Sequence, residues 1–397
     1  MNSVREIFRA YELHKEEIEI SLDQIREELE PYRDKIVLYG AGSAGIAFLH
    51  YLQDAEIFPR YFADGDSEKH GKICEGLEIL SPEAIVQRLG KDALIIVTIN
   101  TDGKTYCKDF KKELLVGGHQ GVHRKLWEYG CRNVIDYTYF RRCYRLFCGE
   151  KYNLPACSDV YLMLEKREEI AYAYEQLQDE MAKQTYLKLL EFRLLSDQVD
   201  IDVFPEKGMY FEYDLFPRIS DEVFIDCGAC GGSSLVEFLQ VNQNQFERYY
   251  GIEPDKTNFK RLERFVSGLS DDLRERMKLY NAAAFEDSDG TNFFILNGPG
   301  SFQSEKGPDF VETVKIDDVL GKKRATYIKM NIEGSEIPAL KGAEYTIRKY
   351  HPRLAIMGYH KTSDLWEVPM LIKEYSEEYQ LHLRSYMKNV AFTYYAF

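Results

Sequence analysis

The sequence predicts an α/β protein in which a helical segment joins two parallel-sheet domains. Two short apolar runs, KIVLYG from residue 35 and VFIDCG from residue 223, are each followed by a glycine-containing turn and an apolar-periodic segment. Further apolar runs continue this order of strand, turn and helix in both halves. The alternation is typical of parallel sheets whose two faces are covered by helices.

The chain divides into four predicted segments. Near the start, Ile18, Leu22, Ile25 and Leu29 recur at helical spacing among charged residues, which predicts one amphipathic helix ending at Pro31. This helix would pack on its neighbour or on a second copy of the chain, and the second arrangement would make the protein a homodimer. We predict the helix in residues 1–34, the first α/β domain in 35–144, a helical connector in 145–205 and the second α/β domain in 206–397.

The last two apolar runs determine the kind of sheet in the second domain. Five earlier runs, VFIDCG, RYYGIEP, KLYNAAAF, TYIKMNIE and RLAIMGYH, predict parallel strands. QLHLRSYM and VAFTYYAF lie too close together for a crossover helix, so they must pair antiparallel. We therefore predict a seven-stranded methyltransferase sheet with a terminal antiparallel hairpin. Both domains are expected to be Rossmann-like.

Composition excludes several functional classes. The formal net charge is −15, from 51 basic and 66 acidic residues, which argues against a nucleic-acid partner. No apolar run approaches the roughly 20 residues of a membrane span, and the charged N-terminus lacks the apolar core of a secretory signal. The eight cysteines are scattered rather than clustered as in a disulfide scaffold. We therefore expect a cytoplasmic protein with no membrane partner.

The glycine turn of the second domain predicts a ligand site. Asp226 ends the first strand, and Gly228, Ala229 and Gly231 form the turn before a helix. Glycines let a ligand approach the backbone, and the N–H groups at a helix start favour a carboxylate or a phosphate. Asp226 could take up a ligand ammonium group. A ligand carrying an amino-acid moiety therefore suits this turn better than a pyrophosphate.

The two strands that follow add candidate contacts for a nucleoside. Glu253 ends the second strand, where an acidic side chain can accept hydrogen bonds from a ribose diol. Asn281 and Ala282 follow the third strand, where small residues leave room for an adenine ring. The alternative is that the glycines only form a turn and that Glu253 is solvated.

The second domain resembles the FkbM family of methyltransferases. The resemblance is carried by EVFIDCGACGGSS, YGIEPDKTNFKRL, VKIDDVL, YIKMNIEGSEIPALKGAEYTI and YHKTSDLW, and it covers about residues 206–397. It implies S-adenosylmethionine as cofactor, O-methylation that is often of a sugar or polyketide hydroxyl, and Asp226, Gly228 and Glu253 as cofactor residues. The family usually has an aspartate where this chain has Asn331. An amide is neither an anionic metal ligand nor a base, but it can still hydrogen-bond a cofactor.

The candidate catalytic residues lie after the fourth and fifth strands. Ligands of open α/β sheets bind at the carboxyl ends of the strands, so Glu333, Glu336 and His360 should converge on the acceptor. We predict His360 as the base or as an acceptor-positioning group, with Glu333 orienting it or the acceptor. The alternatives are a hydrogen-bonded structural role for His360 and a favourable helix-dipole position for Glu336.

The first domain carries a second predicted nucleotide site. Gly40, Gly42 and Gly45 form a G-x-G-x-x-G turn between strand and helix, and Asp64 ends the next strand. The pattern indicates NAD or a nucleotide sugar. FADGDSEKHGKICEGLEIL resembles the small nucleotide-binding domain at the front of some sugar-modifying acyltransferases. Binding without chemistry, use of a dinucleotide and a vestigial scaffold remain open for this half.

No metal site is predicted. Cys227 and Cys230 lie inside the glycine turn and lack a second cysteine pair at zinc spacing. His119 and His123 belong to a glycine-rich stretch typical of a loop. We predict an enzyme that transfers a methyl group from S-adenosylmethionine to a small hydroxylated acceptor, expected to be a sugar or glycan precursor. The rival hypotheses are an NAD-dependent or nucleotide-sugar-binding enzyme and a binding protein without catalysis.

Overall fold

A computed structural model describes the elements of both halves of the chain. It covers residues 1–99, 109–116, 121–149, 151–152, 154, 157–195, 204, 208–211, 215, 219–295, 301–303, 307–386 and 391–397. The described residues of Met1–Glu165 and Leu189–Asp200 form one compact unit, and those of Lys166–Lys188 and Ile201–Phe397 form another. The stretch expected to be one connector is therefore divided between the two units.

The helices and strands follow one another in the α/β order that the sequence predicts. The helices are α1 (Val4–Ile18), α2 (Leu22–Leu29), α3 (Ser43–Asp54), α4 (Pro82–Leu89), α5 (Phe110–Val116), α6 (Gly121–Glu128), α7 (Val160–Glu165), α8 (Arg167–Glu175), α9 (Glu180–Leu195), α10 (Ser233–Val241), α11 (Lys256–Ser267), α12 (Asp271–Arg274), α13 (Ile316–Leu320), α14 (Glu336–Lys341), α15 (Glu344–Tyr350) and α16 (Asp364–Tyr375). The strands are β1 (Ile36–Tyr39), β2 (Tyr61–Ala63), β3 (Ile73–Cys74), β4 (Leu77–Leu80), β5 (Leu94–Val97), β6 (Asn133–Asp136), β7 (Val223–Cys227), β8 (Arg248–Ile252), β9 (Met277–Tyr280), β10 (Ala283–Ala284), β11 (Thr291–Phe294), β12 (Phe302–Gln303), β13 (Asp309–Val311), β14 (Thr313–Val314), β15 (Tyr327–Met330), β16 (Arg353–Met357), β17 (Leu381–Ser385) and β18 (Phe392–Ala396).

The first unit contains a sheet with the strand order β3-β4-β2-β1-β5-β6. All of its pairs are parallel except β3 with β4. β1 and β5 are buried along their whole length, as expected for central strands covered on both faces. This confirms a Rossmann-like arrangement in the first half.

The N-terminal segment forms two helices rather than the single predicted helix. α1 ends at Ile18, and α2 begins after Ser21, whose side chain accepts a hydrogen bond from the N–H of Gln24. Ser21 has extended backbone angles, as an N-cap residue should. The apolar spacing continues across the break, and this continuity explains why the two helices resembled one in the sequence.

The second unit contains a sheet with the strand order β17-β18-β16-β15-β7-β8-β9. β7, β8, β9, β15 and β16 are parallel, whereas β18 is antiparallel to both β16 and β17. The predicted sheet with its terminal antiparallel hairpin is thus confirmed. Aromatic side chains fill one face of its centre: Phe224 stacks on Tyr327 at 5.0 Å between ring centroids and also contacts Phe238 and Tyr249.

A small strand-rich insertion separates β9 from β15. β11 pairs antiparallel with β12 and β13, and β10 pairs parallel with β14. The sequence pattern does not predict these short strands. Among the described residues, no helix is both long and apolar enough to cross a membrane.

Candidate active site

The turn between β7 and α10 requires glycine. Gly228 and Gly232 have φ angles of +79° and +98°, which side chains other than glycine rarely adopt. A Cβ atom on Gly228 would lie 2.0 Å from the carbonyl oxygen of Asn331. The backbone N–H groups of Gly228 and Ala229 both donate to the carbonyl of Ile252, at 3.0 and 3.2 Å. The turn is therefore held closely between β8 and β15.

Asp226 lies beneath this turn and is paired with a buried lysine. One of its oxygens accepts from Nζ of Lys329 at 2.9 Å, and the other accepts from the hydroxyls of Ser234 and Tyr249. The Asp226 side chain is 0% exposed. The structure thus corrects the role that we expected for it, because protein donors already fill the carboxylate that was to receive a ligand ammonium group.

Lys329 is the functional residue that the sequence analysis missed. Its Nζ atom also donates to the carbonyls of Cys227 and Gly228, and it lies 4.9 Å from the ring centre of Tyr210. Burial alone would lower the pKa of Lys329, but Asp226 and Tyr210 raise it above its usual value. A lysine inside the run YIKMN was a detectable signal, since a charged residue within a buried strand needs a partner.

Glu253 ties the end of β8 to the glycine turn. Its two carboxylate oxygens accept from the N–H groups of Cys230, at 2.8 Å, and Asp255, at 2.9 Å. Burial raises the pKa of Glu253 to about 7, although these two hydrogen bonds and the charge of Lys329 act to lower it. Glu253 also lines the pocket described below, so its oxygens can still accept from a ligand.

The alanines on the pocket wall are not the ones that we predicted. The side-chain amide of Asn281 donates to the carbonyls of Glu253 and Pro254, at 2.9 and 3.1 Å, and so holds the end of β8. The pocket wall is formed instead by Ala283, Ala284 and Phe293. The β10 strand begins at Ala283. The adenine contact that we predicted for Asn281 and Ala282 stays a prediction, and neither residue belongs to the pocket lining.

These residues surround a pocket of about 240 Å³. It lies at the carboxyl ends of β7, β8 and β15, where open α/β sheets bind their ligands. Gly228, Glu253, Lys329, Asn331 and Glu333 all contribute to its lining. The structure thus brings together the predicted glycine turn, the predicted acid of the second strand and two residues that follow the fourth strand.

Asn331 lines this pocket and carries an acceptor without a partner among the described residues. Its amide nitrogen donates to the hydroxyl of Tyr210 at 2.9 Å. Its amide oxygen is buried and has no hydrogen-bond partner within the part of the chain that the structure describes. A buried acceptor without a partner costs free energy, so a ligand that donates to it would be favoured. Asn331 and the glycine turn thus fit a bound cofactor.

Glu333 lines the pocket, and His360 is buried next to it. The His360 side chain is 0% exposed, whereas Glu333 is 25% exposed and lines the pocket. Nε2 of His360 lies 3.7 Å from Glu333, and Nδ1 lies 2.9 Å from Oε1 of the buried Glu336. Of these three residues, Glu333 is therefore the one placed to meet an acceptor, and His360 lies behind it.

Burial and neighbouring charges shift the pKa values of His360, Glu336 and Asp364. Burial alone would lower the pKa of His360, but Glu336 and Glu333 raise it well above its usual value. Burial acts to raise the pKa of Glu336, yet His360 and backbone hydrogen bonds lower it below the usual value. Burial and the charge of Glu336 raise the pKa of Asp364 to about 7. A histidine whose pKa is raised in this way is a poor free base at neutral pH.

The glycine turn of the first unit shows a related arrangement. The Asp64 carboxylate accepts from the N–H groups of Ala41 and Asp66 and from Nζ of Lys69, each at 2.9 Å. Gly40 has a φ of +119°, and a Cβ on Gly45 would lie 1.9 Å from the carbonyl oxygen of Gly40. Gly42 precedes α3 as its N-cap, with open space where a Cβ would be. The acid of the predicted nucleotide site, Asp64, is thus already paired with a lysine.

The remaining candidates from the sequence are two cysteines and two histidines. Burial raises the pKa of the Cys227 thiol and, less strongly, that of Cys230, which opposes formation of a reactive thiolate. His123 lies in α6, and His119 lies outside the described residues.

Comparison with known proteins agrees with this geometry. Residues 226–394 match the family model described as the methyltransferase FkbM domain. The chain is similar to the crystal structure of a methyltransferase FkbM from Methylobacillus flagellatus KT, with a TM-score of 0.67 and 21% identity over 99% of this chain and 98% of that one. At this identity the likeness shows a shared fold. No curated protein matches the sequence.

Two other solved structures cover only about half of this chain. A putative rRNA-methylase from Clostridium thermocellum has 9% identity and a TM-score of 0.33, covering 49% of this chain and 96% of its own. A SAM-dependent methyltransferase from Aquifex aeolicus has 12% identity and a TM-score of 0.28, covering 49% and 93%. Scores this low add nothing about function.

Proposed function

We propose that this protein, an S-adenosylmethionine-dependent methyltransferase, methylates a hydroxyl group of a small carbohydrate acceptor. The proposal starts from residues 226–394, which match the FkbM methyltransferase domain. One observation carries the assignment of the cofactor pocket. The glycine turn, Glu253 and Asn331 all line one cavity at the carboxyl ends of β7, β8 and β15, and the buried side-chain oxygen of Asn331 has no hydrogen-bond partner among the described residues. The carbohydrate acceptor is supported by the resemblance of both halves to parts of sugar-modifying enzymes.

Different residues of the pocket would contact different parts of the cofactor. Gly228 allows the Asn331 carbonyl to approach the turn more closely than any residue with a Cβ would permit. Glu253 is placed to accept hydrogen bonds from a ribose diol, and Ala283 and Ala284 form an apolar wall that suits a flat ring. The oxygen of Asn331 can accept from a ligand N–H or O–H group. Lys329 stabilises the turn, because its Nζ atom pairs with Asp226 and donates to the carbonyls of Cys227 and Gly228.

Glu333 is the group that we assign to the acceptor proton. When bound, S-adenosylmethionine supplies an electrophilic methyl group, so that an acceptor hydroxyl becomes a methyl ether and loses its proton. Glu333 lines the pocket and can receive that proton directly. It also has a φ of +55°, an unfavourable angle for a side chain with a Cβ. Backbone strain of this kind is often kept where a side chain must be aimed at a ligand.

The acceptor assignment is tested by methyl transfer from labelled S-adenosylmethionine to a panel of sugars and nucleotide sugars. A set of non-carbohydrate phenols and alcohols serves as the comparison. Preferential labelling of a carbohydrate hydroxyl is the expected result. Labelling confined to the non-carbohydrate set would overturn the acceptor class and leave the cofactor site intact. Cofactor binding without turnover on either set would favour the rival hypothesis of a binding protein.

NAD or a nucleotide sugar at the first glycine turn stays a prediction. The comparisons do not support either ligand, and Asp64 is paired with Lys69. Titration of the full chain with NAD, followed by Asp64→Asn, tests it. NAD binding that Asp64→Asn abolishes would establish the site, and an absence of binding would remove it.

A further inference from the structure

A buried cluster behind the pocket has the composition of a metal site. Glu336 is the first residue of α14, His360 follows β16, and Asp364 is the first residue of α16. One ligand atom from each of the three lies within 4.8 Å of the others, and all three residues are buried. Three separate segments of the second unit therefore bring one imidazole and two carboxylates to the same point.

The His360 ring makes no hydrogen bond with the described residues, although both of its nitrogens are buried. Nδ1 nevertheless lies only 2.9 Å from Oε1 of Glu336. Two ligand atoms of one tetrahedral ion, with bonds of about 2.1 Å, are about 3.4 Å apart. These two atoms would therefore have to separate by only about half an ångström to share an ion.

The cluster is also able to exchange a proton for a cation. Two carboxylates face one imidazole in a buried region, and a divalent ion bound there would replace the proton on His360. The hydrogen bonds described for the carboxylates come from backbone N–H groups, those of Ile332 and Gly334 to Glu336 and that of Lys361 to Asp364. These bonds orient the oxygens and leave further lone pairs for a cation.

Glu333 lies next to the His360 ring, on the side away from Glu336. It lies 3.7 Å from Nε2, the ring nitrogen of His360 that faces away from Glu336. A histidine that binds a metal through one nitrogen commonly directs the N–H of the other to a carboxylate, which fixes the ring orientation. Glu333 is in the position of that second carboxylate.

We propose that Glu336, Asp364 and Nδ1 of His360 bind a divalent first-row transition-metal ion of the Zn²⁺ type. Imidazole with carboxylates suits such an ion better than Mg²⁺ or Ca²⁺, which take oxygen ligands. The ion would join the start of α14, the end of β16 and the start of α16. Because Glu336 also holds the N–H groups of Ile332 and Gly334, the ion would fix the loop that carries Asn331 and Glu333 into the pocket. This inference does not depend on the proposed acceptor.

The test is the metal content of the full chain after dialysis into metal-free buffer, followed by titration with Zn²⁺ and with Co²⁺ as a spectroscopic probe. Asp364→Asn is the principal variant, because the amide oxygen can keep the hydrogen bond from Lys361 while the anionic ligand is lost. His360→Gln is the second variant. His382→Gln serves as the matched control, since His382 contacts Asp179, whose carboxylate is already paired with Arg384.

The expected result is about one metal ion per chain in the wild type and in His382→Gln, with a visible Co²⁺ spectrum and a higher melting temperature when metal is added. Asp364→Asn and His360→Gln should lose both the bound metal and the temperature shift. Absence of metal, Co²⁺ absorption and temperature shift in the wild type would overturn the site. Equal metal binding by wild type and Asp364→Asn would overturn it as well.

Discussion

At the scale of single residues, the protonation of Glu253 should control cofactor affinity. Its pKa is raised to about 7 in the free protein, and ribose hydroxyls donate to its ionised form. At low pH, cofactor binding therefore requires the Glu253 carboxyl group to lose its proton. The affinity for S-adenosylhomocysteine should fall about tenfold from pH 8 to pH 6. Calorimetric titration at pH 6, 7 and 8 measures this slope.

The variant Glu253→Gln isolates the contribution of that carboxylate. It should weaken S-adenosylhomocysteine binding by at least roughly 1–3 kcal/mol and remove the pH slope, because the amide does not titrate and its NH₂ group also loses one of the two backbone hydrogen bonds. Glu247→Gln, at an exposed position before β8, is the control and should behave as the wild type. A wild-type affinity that is constant between pH 6 and 8 would show that the ribose assignment is wrong.

Glu333 should contribute to turnover but not to cofactor affinity. Glu333→Gln keeps the size and position of the side chain but removes the proton acceptor. We expect turnover on the identified acceptor to fall about 10²–10⁴-fold, with S-adenosylhomocysteine affinity within about twofold of wild type. Steady-state kinetics and calorimetry together measure both quantities. Unchanged turnover would mean that another group takes the proton.

Residue positions were predictable where backbone geometry fixes them. Gly228 and Glu253 follow from a strand-turn-helix order that any sequence of this type displays. The roles of Asp226, Asn281 and His360 depend on which way each side chain points and on a partner such as Lys329, far away in the sequence. Spacing alone does not carry that information.

At the scale of elements, the glycine turn should tolerate a methyl group at one position and not at another. Gly228→Ala meets the Asn331 carbonyl at 2.0 Å and an unfavourable φ, so it should cost about 1–3 kcal/mol and abolish S-adenosylhomocysteine binding. A Cβ on Gly231 would approach only the side chain of Arg261, at 3.6 Å. Gly231→Ala should therefore stay within about 0.5 kcal/mol of wild type in urea unfolding. Equal stability of the two variants would contradict this account of the turn.

The buried Lys329–Asp226 ion pair joins β7 to β15 at positions that lie in register. Lys329→Met leaves Asp226 charged and buried, and it should lower the free energy of unfolding by about 3–5 kcal/mol. The double variant Asp226→Asn with Lys329→Met should recover part of that loss, because it removes both charges. Urea unfolding of the two proteins measures the difference. A double variant less stable than Lys329→Met would show that charge burial is not the cause.

Helix and strand positions were largely predictable from apolar periodicity, with informative exceptions. The break between α1 and α2 comes from the local cap at Ser21, which interrupts a continuous apolar spacing. The short strands β10 to β14 contain few residues each, so their pairing depends on neighbours rather than on their own pattern.

At the scale of the whole molecule, topology was the most predictable property. Two strands without room for a crossover must form a hairpin, and this rule predicts the antiparallel pairing of β17 with β18. The division of the helical stretch between the two units was not predictable in this way, because each helix can pack on either side.

The central claim is that the pocket of the second unit binds S-adenosylmethionine. Calorimetric titration of the full wild-type chain with S-adenosylhomocysteine tests it most directly, with Gly228→Ala as the blocked form and Gly231→Ala as a check on folding. The account predicts binding at one site with a Kd on the order of micromolar, lost in Gly228→Ala. No binding by the folded wild-type protein, or equal binding by Gly228→Ala, would contradict it.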